Sequence, residues 1–282
     1  MIDVIIPAYN AHKTIERTLL SINFQTIKDE INIYIIDDAS NETYDDIIKP
    51  FLDKLNIKVI RLNENKGPGY ARNIGIENST NPYILFIDAD DELYNSLTLE
   101  HLKKYIDVYD MCYGGIYQEE GNKEYTYYDS HNGCLHGKLY KRSIINKYNI
   151  RFNDYRYSED NYFNQLYVAL ASNIYYINEP SYVYNNSVNS LTKDNEEKAN
   201  YYYNKSMNLL INKCEFLNVE IYKIKNILLS CLCYNYEQYV LSDCKNKYYL
   251  TQPQEELKDF YIKYKDYIFD YEVKNIDNNY VL

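Results

Sequence analysis

Residues 83–91 read YILFIDADD, an apolar run from Tyr83 to Ile87 that leads directly into three carboxylates, Asp88, Asp90 and Asp91. Such a run, closed by polar residues, reads as a strand buried on both faces. Like charges this close repel and raise one another's pKa, so the cluster is costly unless a divalent cation holds it. The same pattern, an apolar strand and then a polar end, recurs upstream. Val4-Ile5-Ile6 is followed by Pro7-Ala8-Tyr9-Asn10, and Ile33 to Ile36 by Asp37-Asp38-Ala39-Ser40. Lys58 to Leu62 is followed by Asn63-Glu64-Asn65-Lys66-Gly67. Between these strands, Ile15, Leu19 and Ile22 recur at helical spacing until Gln25; a second helix runs through Ile47, Ile48 and Leu52, and a short third carries Ala71, Ile74 and Asn78. Strands alternating with helices imply right-handed crossovers, hence an α/β fold with a mostly parallel, Rossmann-like sheet flanked by helices. Ligands of such sheets bind beyond the carboxyl ends of the strands. Four strand ends therefore converge on one acidic, hydrogen-bonding site.

From Asp110 to about Tyr184 the pattern is less regular, with short strands and helices expected near Lys138 to Lys147 and Ser158 to Ala171. From about Glu196 the chain reads as helical, with Tyr202, Met207, Leu210 and Ile211 and then Ile227, Leu228 and Leu232 on apolar faces. Polar residues accumulate near 190 to 198, which divides the chain into a domain over 1–195 and a helical carboxyl-terminal region over 196–282, on the acceptor side or for oligomerisation. Of 282 residues, 41 are acidic and 30 basic, a net charge of -11, which argues against a nucleic-acid groove. Neither a membrane span nor a signal peptide is read, so a soluble, cytoplasmic protein is expected, with peripheral membrane association left open. The six cysteines lack the paired spacing of a zinc site and read as reduced, mostly buried residues.

The blocks VIIPAYN, IIDDAS, NKGPGYARNIG, FIDADDEL and YSEDNYF, in this order over roughly residues 2 to 192, resemble the family 2 glycosyltransferases of the GT-A type. The resemblance implies an inverting, metal-dependent transfer of a sugar from a UDP-sugar donor to a hydroxyl acceptor, with Mn2+ or Mg2+ as cofactor. It implies that Pro7, Ala8 and Tyr9 line a nucleobase pocket, with Asp38 accepting from a uracil-like imino N–H, and that the diphosphoribosyl part lies along Gly67 to Asn73. Arg72 belongs to that segment or orients an acidic partner, Asp38 or Asp88. Within the D-x-D block, Asp90 corresponds to the principal metal ligand, Asp88 to a contact with the ribose or the ion through water, and Ala89 to the donor site between them; Asp91 is a third member. In the paired-acid block Glu159-Asp160, Asp160 corresponds to the general base that takes the acceptor's proton. Residues 182–187, YVYNNS, depart from the family in offering no cation for the diphosphate, a role that then falls to Lys138 or Lys193. His136, two residues before Lys138, reads equally as a site residue or a packing histidine.

A dinucleotide-dependent oxidoreductase shares the alternating architecture, but its glycine turn is absent after the first strand. A nucleotidyltransferase would carry a glycine-rich basic loop at the same place. The alternative from another class is a non-catalytic nucleotide-sugar or glycan-binding protein on a GT-A scaffold. The donor sugar, the acceptor and the oligomeric state are not legible in the sequence.

Overall fold

The computed structural model describes residues 1–121, 123–128, 134–186, 196–236 and 262–263. Lys193, the expected boundary over 190–195, Cys244 and the chain over 237–261 and 264–282 lie outside the described residues, as do the side chains of Cys231, Leu232 and Cys233. The strands are β1 (Ile2–Ala8), β2 (Ile31–Asp37), β3 (Asn56–Arg61), β4 (Tyr83–Phe86), β5 (Glu92–Leu93), β6 (Met111–Gly121), β7 (Glu124–Tyr128), β8 (Lys138–Lys141) and β9 (Ile174–Tyr184). The α-helices are α1 (Ile15–Asn23), α2 (Asp45–Ile48), α3 (Pro68–Asn78), α4 (Thr98–Ile106), α5 (Arg142–Lys147), α6 (Glu159–Leu170), α7 (Glu196–Phe216) and α8 (Ile221–Tyr236).

One sheet runs in the order β3-β2-β1-β4-β8-β6-β9-β5, with β7 added to β6. The amino-terminal half, β3-β2-β1-β4, is wholly parallel, as its strand and helix alternation requires. Beyond β4 the sheet is mixed: β8 is antiparallel to both β4 and β6, β6 and β9 are parallel, and β5 is antiparallel to β9. Both faces are covered, which is why β1 is buried at every position and apolar except for Asp3. Ile2, Val4, Ile6 and Ala8 pack with Ile15, Leu19 and Ile22 of α1 and Leu99, Leu102 and Ile106 of α4. On the other face, Ile5 packs in one cluster with Ala71 and Ile76 of α3, Phe163 and Leu166 of α6, and Met207, Leu210 and Ile211 of α7.

Two local expectations are corrected. The helix placed near Lys138 to Lys147 begins only at Arg142, because Lys138–Lys141 is strand β8. Its residues alternate in a strand period: Leu139 enters the α1/α4 core and Tyr140 the α3/α6 core. The second helix stops at Ile48 and becomes a 3-10 turn over Lys49–Phe51, since Pro50 has no N–H to donate back to the preceding turn. Among the described residues, no helix is long and apolar enough to cross a membrane.

Candidate functional site

The carboxyl ends of β1, β2 and β4 bring three of the blocks to one edge of the parallel half. Pro7 and Ala8 are buried there and Tyr9 projects, 52% exposed. Asp38, just past β2, is buried, and its two carboxylate oxygens accept from the backbone N–H groups of Lys66 (2.9 Å) and Gly67 (2.8 Å). The loop between β3 and α3 is thereby clamped against β2. It makes its turn at Gly67, whose φ of +92° lies in the left-handed region that glycine tolerates. Asp37, beside Asp38, is engaged by Ser40 N–H (2.9 Å) and Arg61 (2.9 Å). Arg156, not singled out in the sequence, donates to Asn65 Oδ1 at 2.7 Å across this loop.

Arg72 carries the link between the remaining blocks. It sits on the first turns of α3, is 5% exposed, and donates to Asp88 Oδ1 at 2.6 Å and to Glu159 Oε1 at 2.9 Å. The alternative partner considered for it, Asp38, is occupied by the glycine loop. Burial works against the Arg72 charge, but Asp88 and Glu159 outweigh it and hold the guanidinium protonated above its ordinary range. Burial alone would raise the Asp88 carboxyl; Arg72 and His136 beside it win and keep it well below the usual carboxylate range. Glu159 goes the other way, pushed up to about 7 by burial, with Asp160 adding to the rise and Arg72 opposing it. Gly69 lets this packing happen: a Cβ there would stand 2.8 Å from Glu159 Cγ and 3.2 Å from the Asn153 carbonyl oxygen.

A second cluster forms where the loop after β4 meets β9. Asp88, Asp91 and His136 each offer a ligand atom, and these atoms lie within 4.8 Å of one another. His136 Nε2 is 3.6 Å from Asp88 Oδ2, and its ring stacks on Tyr182 with centroids 4.8 Å apart. Burial disfavours a charge on His136, yet Cys134 and Asp88 hold its pKa above the ordinary imidazole value. Asp91 is 1% exposed; Tyr182 OH donates to its Oδ2 and Asn185 N–H to its Oδ1, both at 2.8 Å. Burial, with Asp88 and Asp90 nearby, raises its carboxyl well above the ordinary value. Two carboxylates and an imidazole form a mixed oxygen and nitrogen donor set that fits a divalent cation.

Asp90 is half-buried and is not a member of that trio; its backbone carbonyl receives Arg17 and, at 3.2 Å, Asn185 Nδ2. Ala89, between the acids, is buried. His136, Tyr182 and Asn185 are the site residues that sequence reasoning undervalued. Tyr182 and Asn185 lie more than 90 positions from Asp91, and the stretch 182–187 contributes a hydroxyl and a backbone amide rather than a cation.

Asp160 occupies the first turn of α6, where a carboxylate also favours the helix dipole. The chain enters this helix through Ser158 at φ +59°, a turn that directs Glu159 inward and leaves Asp160 half-exposed. Lys138, on β8, is 1% exposed and donates to Asn164 Oδ1 at 3.3 Å, one helical turn beyond Asp160. Burial lowers its ammonium to about 8, against the opposing pull of Cys134 and Asp160. Lys138 thus stands beneath the start of α6 rather than on the open surface of the nucleotide loop.

Residues 3–169, more than half of the chain, match the family model of Glycosyl transferase family 2. The chain belongs to that family. Over 227 residues it is 27% identical to Glycosyltransferase GlyA of Streptococcus pneumoniae, covering 70% of this chain and 32% of that protein. Over 106 residues it is 36% identical to the poly(ribitol-phosphate) beta-N-acetylglucosaminyltransferase TarS of Staphylococcus aureus, covering 37% of this chain and 18% of that protein. The chain therefore spans about a third or less of the length of these two curated relatives. Among solved structures, S. aureus TarS 1–349 in complex with UDP-GlcNAc superposes with a TM-score of 0.74 at 21% identity, covering 92% of this chain and 78% of that one. The mannosyltransferase PcManGT of Pyrobaculum calidifontis, in complex with GDP-Man and Mn2+, gives 0.60 at 14% identity, covering 96% and 88%. At these identities the likeness is one of fold, and the fold of this family 2 chain is of the GT-A type.

Proposed function

We propose that this family 2 chain is an inverting, divalent-cation-dependent glycosyltransferase that takes a UDP-sugar and passes the sugar to a hydroxyl acceptor in the cytoplasm. One observation carries the proposal: Arg72 joins Asp88, of the cation cluster, to Glu159, beside Asp160, so the donor end and the base end of the site are one buried electrostatic unit. UDP-GlcNAc in TarS, and GDP-Man with Mn2+ in the mannosyltransferase, support the donor class and the ion. Asp88, Asp91 and His136 would hold the ion, with Asp90 beside them as a further ligand. Bound there, it would neutralise charge that develops on the departing UDP.

The chain's own residues supply the rest. Pro7, Ala8 and Tyr9 form the floor of the nucleobase position, Asp38 both clamps the glycine loop and accepts from the base, and Gly67 lets the backbone approach the ribose and diphosphate. Asp160 takes the proton of the acceptor hydroxyl as that oxygen attacks the anomeric carbon opposite the leaving UDP, so the configuration inverts in one displacement. Lys138 and Asn164 support the helix turn that presents Asp160. Residues 1–195 act as the catalytic domain, and the helices from 196 onward serve the acceptor side.

The test is UDP release from UDP-sugars with Mn2+ in the presence of candidate glycan acceptors, with the product's anomeric configuration assigned by NMR. Inverted product is expected; retained configuration contradicts the mechanism. Stabilisation by UDP and Mn2+ with no release across the acceptor panel favours the non-catalytic binding protein.

A further inference from the structure

A cavity of about 300 Å³ opens between the glycine loop and the segment that leads into α6, lined by Lys66, Tyr70, Asn153, Asp154 and Tyr155. That volume is at the small end for a ligand pocket and suits one small unit of a longer ligand. The contacts that build the acid pair also place its walls. Gly69 precedes Tyr70, and a Cβ on it would stand 3.2 Å from the Asn153 carbonyl oxygen and 2.8 Å from Glu159 Cγ. The Asn153 side chain is fully committed: Nδ2 donates to Ser206 Oγ of α7 at 2.9 Å, and Oδ1 accepts from Tyr155 N–H at 3.0 Å. Tyr155, so held, has its ring 5.3 Å from Tyr202 of α7, on which Tyr157 stacks at 5.7 Å. The chain then enters α6 through Ser158, with Glu159 and Asp160 in its first turn. The cavity is therefore continuous with the base end of the site, and α7 buttresses it.

The lining selects among ligand chemistries. It holds no aliphatic side chain, so it gives a lipid tail nothing to cover. Its one cation, Lys66, is held by Glu64 at 2.9 Å and lies over the Tyr70 ring, and its one carboxylate, Asp154, is exposed. Arg156, the next cation along the chain, reaches Asn65 instead. A polyanionic strand therefore meets no surplus of positive charge here. A neutral pyranose matches what remains: its C–H face covers the electron-rich face of a half-buried tyrosine ring, and two neighbouring hydroxyls donate to the Asp154 carboxylate.

We propose that this cavity is an acceptor subsite for the second sugar of a neutral oligosaccharide whose terminal hydroxyl faces Asp160, an inference that rests on the reading of the chain as a UDP-sugar transferase with its base on α6. The experiment follows UDP release by the full chain in Mn2+, with UDP-glucose, UDP-galactose or UDP-N-acetylglucosamine as donor. The acceptors are glucose, galactose and N-acetylglucosamine, the β-linked di- and trisaccharides of each, and poly(ribitol phosphate) as the polyanion. In the best series the disaccharide should exceed its monosaccharide by about ten-fold or more in kcat/KM, through a lower KM, and poly(ribitol phosphate) should stimulate release less. Tyr155→Ala should reduce that gain to about two-fold or less, with the monosaccharide rate and UDP affinity within about two-fold of wild type. Tyr155→Phe, which keeps the ring, should retain the gain. Asp154→Ala, at an exposed position that leaves the core untouched, should cut it by about three-fold. Rates independent of acceptor length, release with none of the oligosaccharides, a polyanion that serves better, or an undiminished gain in Tyr155→Ala overturns the proposal, while UDP binding leaves the transferase reading standing. No binding of UDP itself overturns both.

Discussion

Asp160 and Glu159 are neighbours in sequence but point about 100° apart on the helix, and their surroundings divide their roles. Glu159 is buried against Arg72, whereas Asp160 is half-exposed at the mouth of the site. Asp160→Asn should lower turnover by roughly 10² to 10⁴-fold, the usual worth of a positioned base, while UDP binding stays within about two-fold of wild type. A normal kcat in that variant would remove Asp160 from the mechanism. For Glu159 the expected signature is in stability. Its carboxyl titrates at about 7 folded against an ordinary 4.5, so over that interval the folded state holds more protons than the unfolded one. The Glu159 contribution is full below pH 4.5 and is lost as pH rises through 7. Glu159→Gln should flatten the fall in Tm across that window, and an unchanged slope would contradict the assignment. The acids themselves were legible, because clustered carboxylates at strand and helix ends stand out against an apolar background. His136 was legible only as an even choice between a site residue and a packing histidine, and Tyr182 was not, since one tyrosine among 37 carries no local pattern.

At the scale of elements, Arg142 at the start of α5 holds three segments together. It donates to buried Asp3 of β1 at 2.8 Å, to Ser79 Oγ at 2.6 Å and to the Ile76 carbonyl at 3.0 Å near the end of α3. Asp3 also accepts from Asn81 through N–H (2.6 Å) and Nδ2 (2.8 Å). Arg142→Met leaves the Asp3 carboxylate buried without its cation, and by the behaviour of broken buried pairs should cost about 3 to 5 kcal/mol in urea unfolding. A loss below about 1 kcal/mol would show that Asn81 alone satisfies Asp3. The parallel strands were legible from apolar runs and polar ends, which depend only on neighbours along the chain. β8 was misread because two lysines flank Leu139-Tyr140, and only pairing with β4 and β6 decides between a four-residue strand and the first turn of a helix.

The whole molecule places its chemistry where the sheet changes character. The parallel half, β3-β2-β1-β4, ends at the nucleotide blocks, and the mixed half beyond β4 brings in His136 and, from beyond the matched residues 3–169, Tyr182 and Asn185. The mixed half was the less legible one, because antiparallel additions to a parallel sheet leave no alternation of strand and helix to count. α7 was legible as a helix, but its burial of Met207, Leu210 and Ile211 in the same cluster as Ile5 and Phe163 is a tertiary fact with no local signature. A donor site assembled from both halves should bind its nucleotide more tightly when the cation is bound. The most direct measurement is calorimetric titration of the full chain with UDP in Mn2+ and again in excess EDTA, with ADP as control and His136→Ala as the variant. UDP is expected to bind one site in Mn2+, more tightly than ADP, and to weaken by about ten-fold or more, about 1.4 kcal/mol, both in EDTA and in His136→Ala. UDP affinity that is indifferent to both, or no stronger than that of ADP, would contradict a cation-dependent uridine nucleotide site.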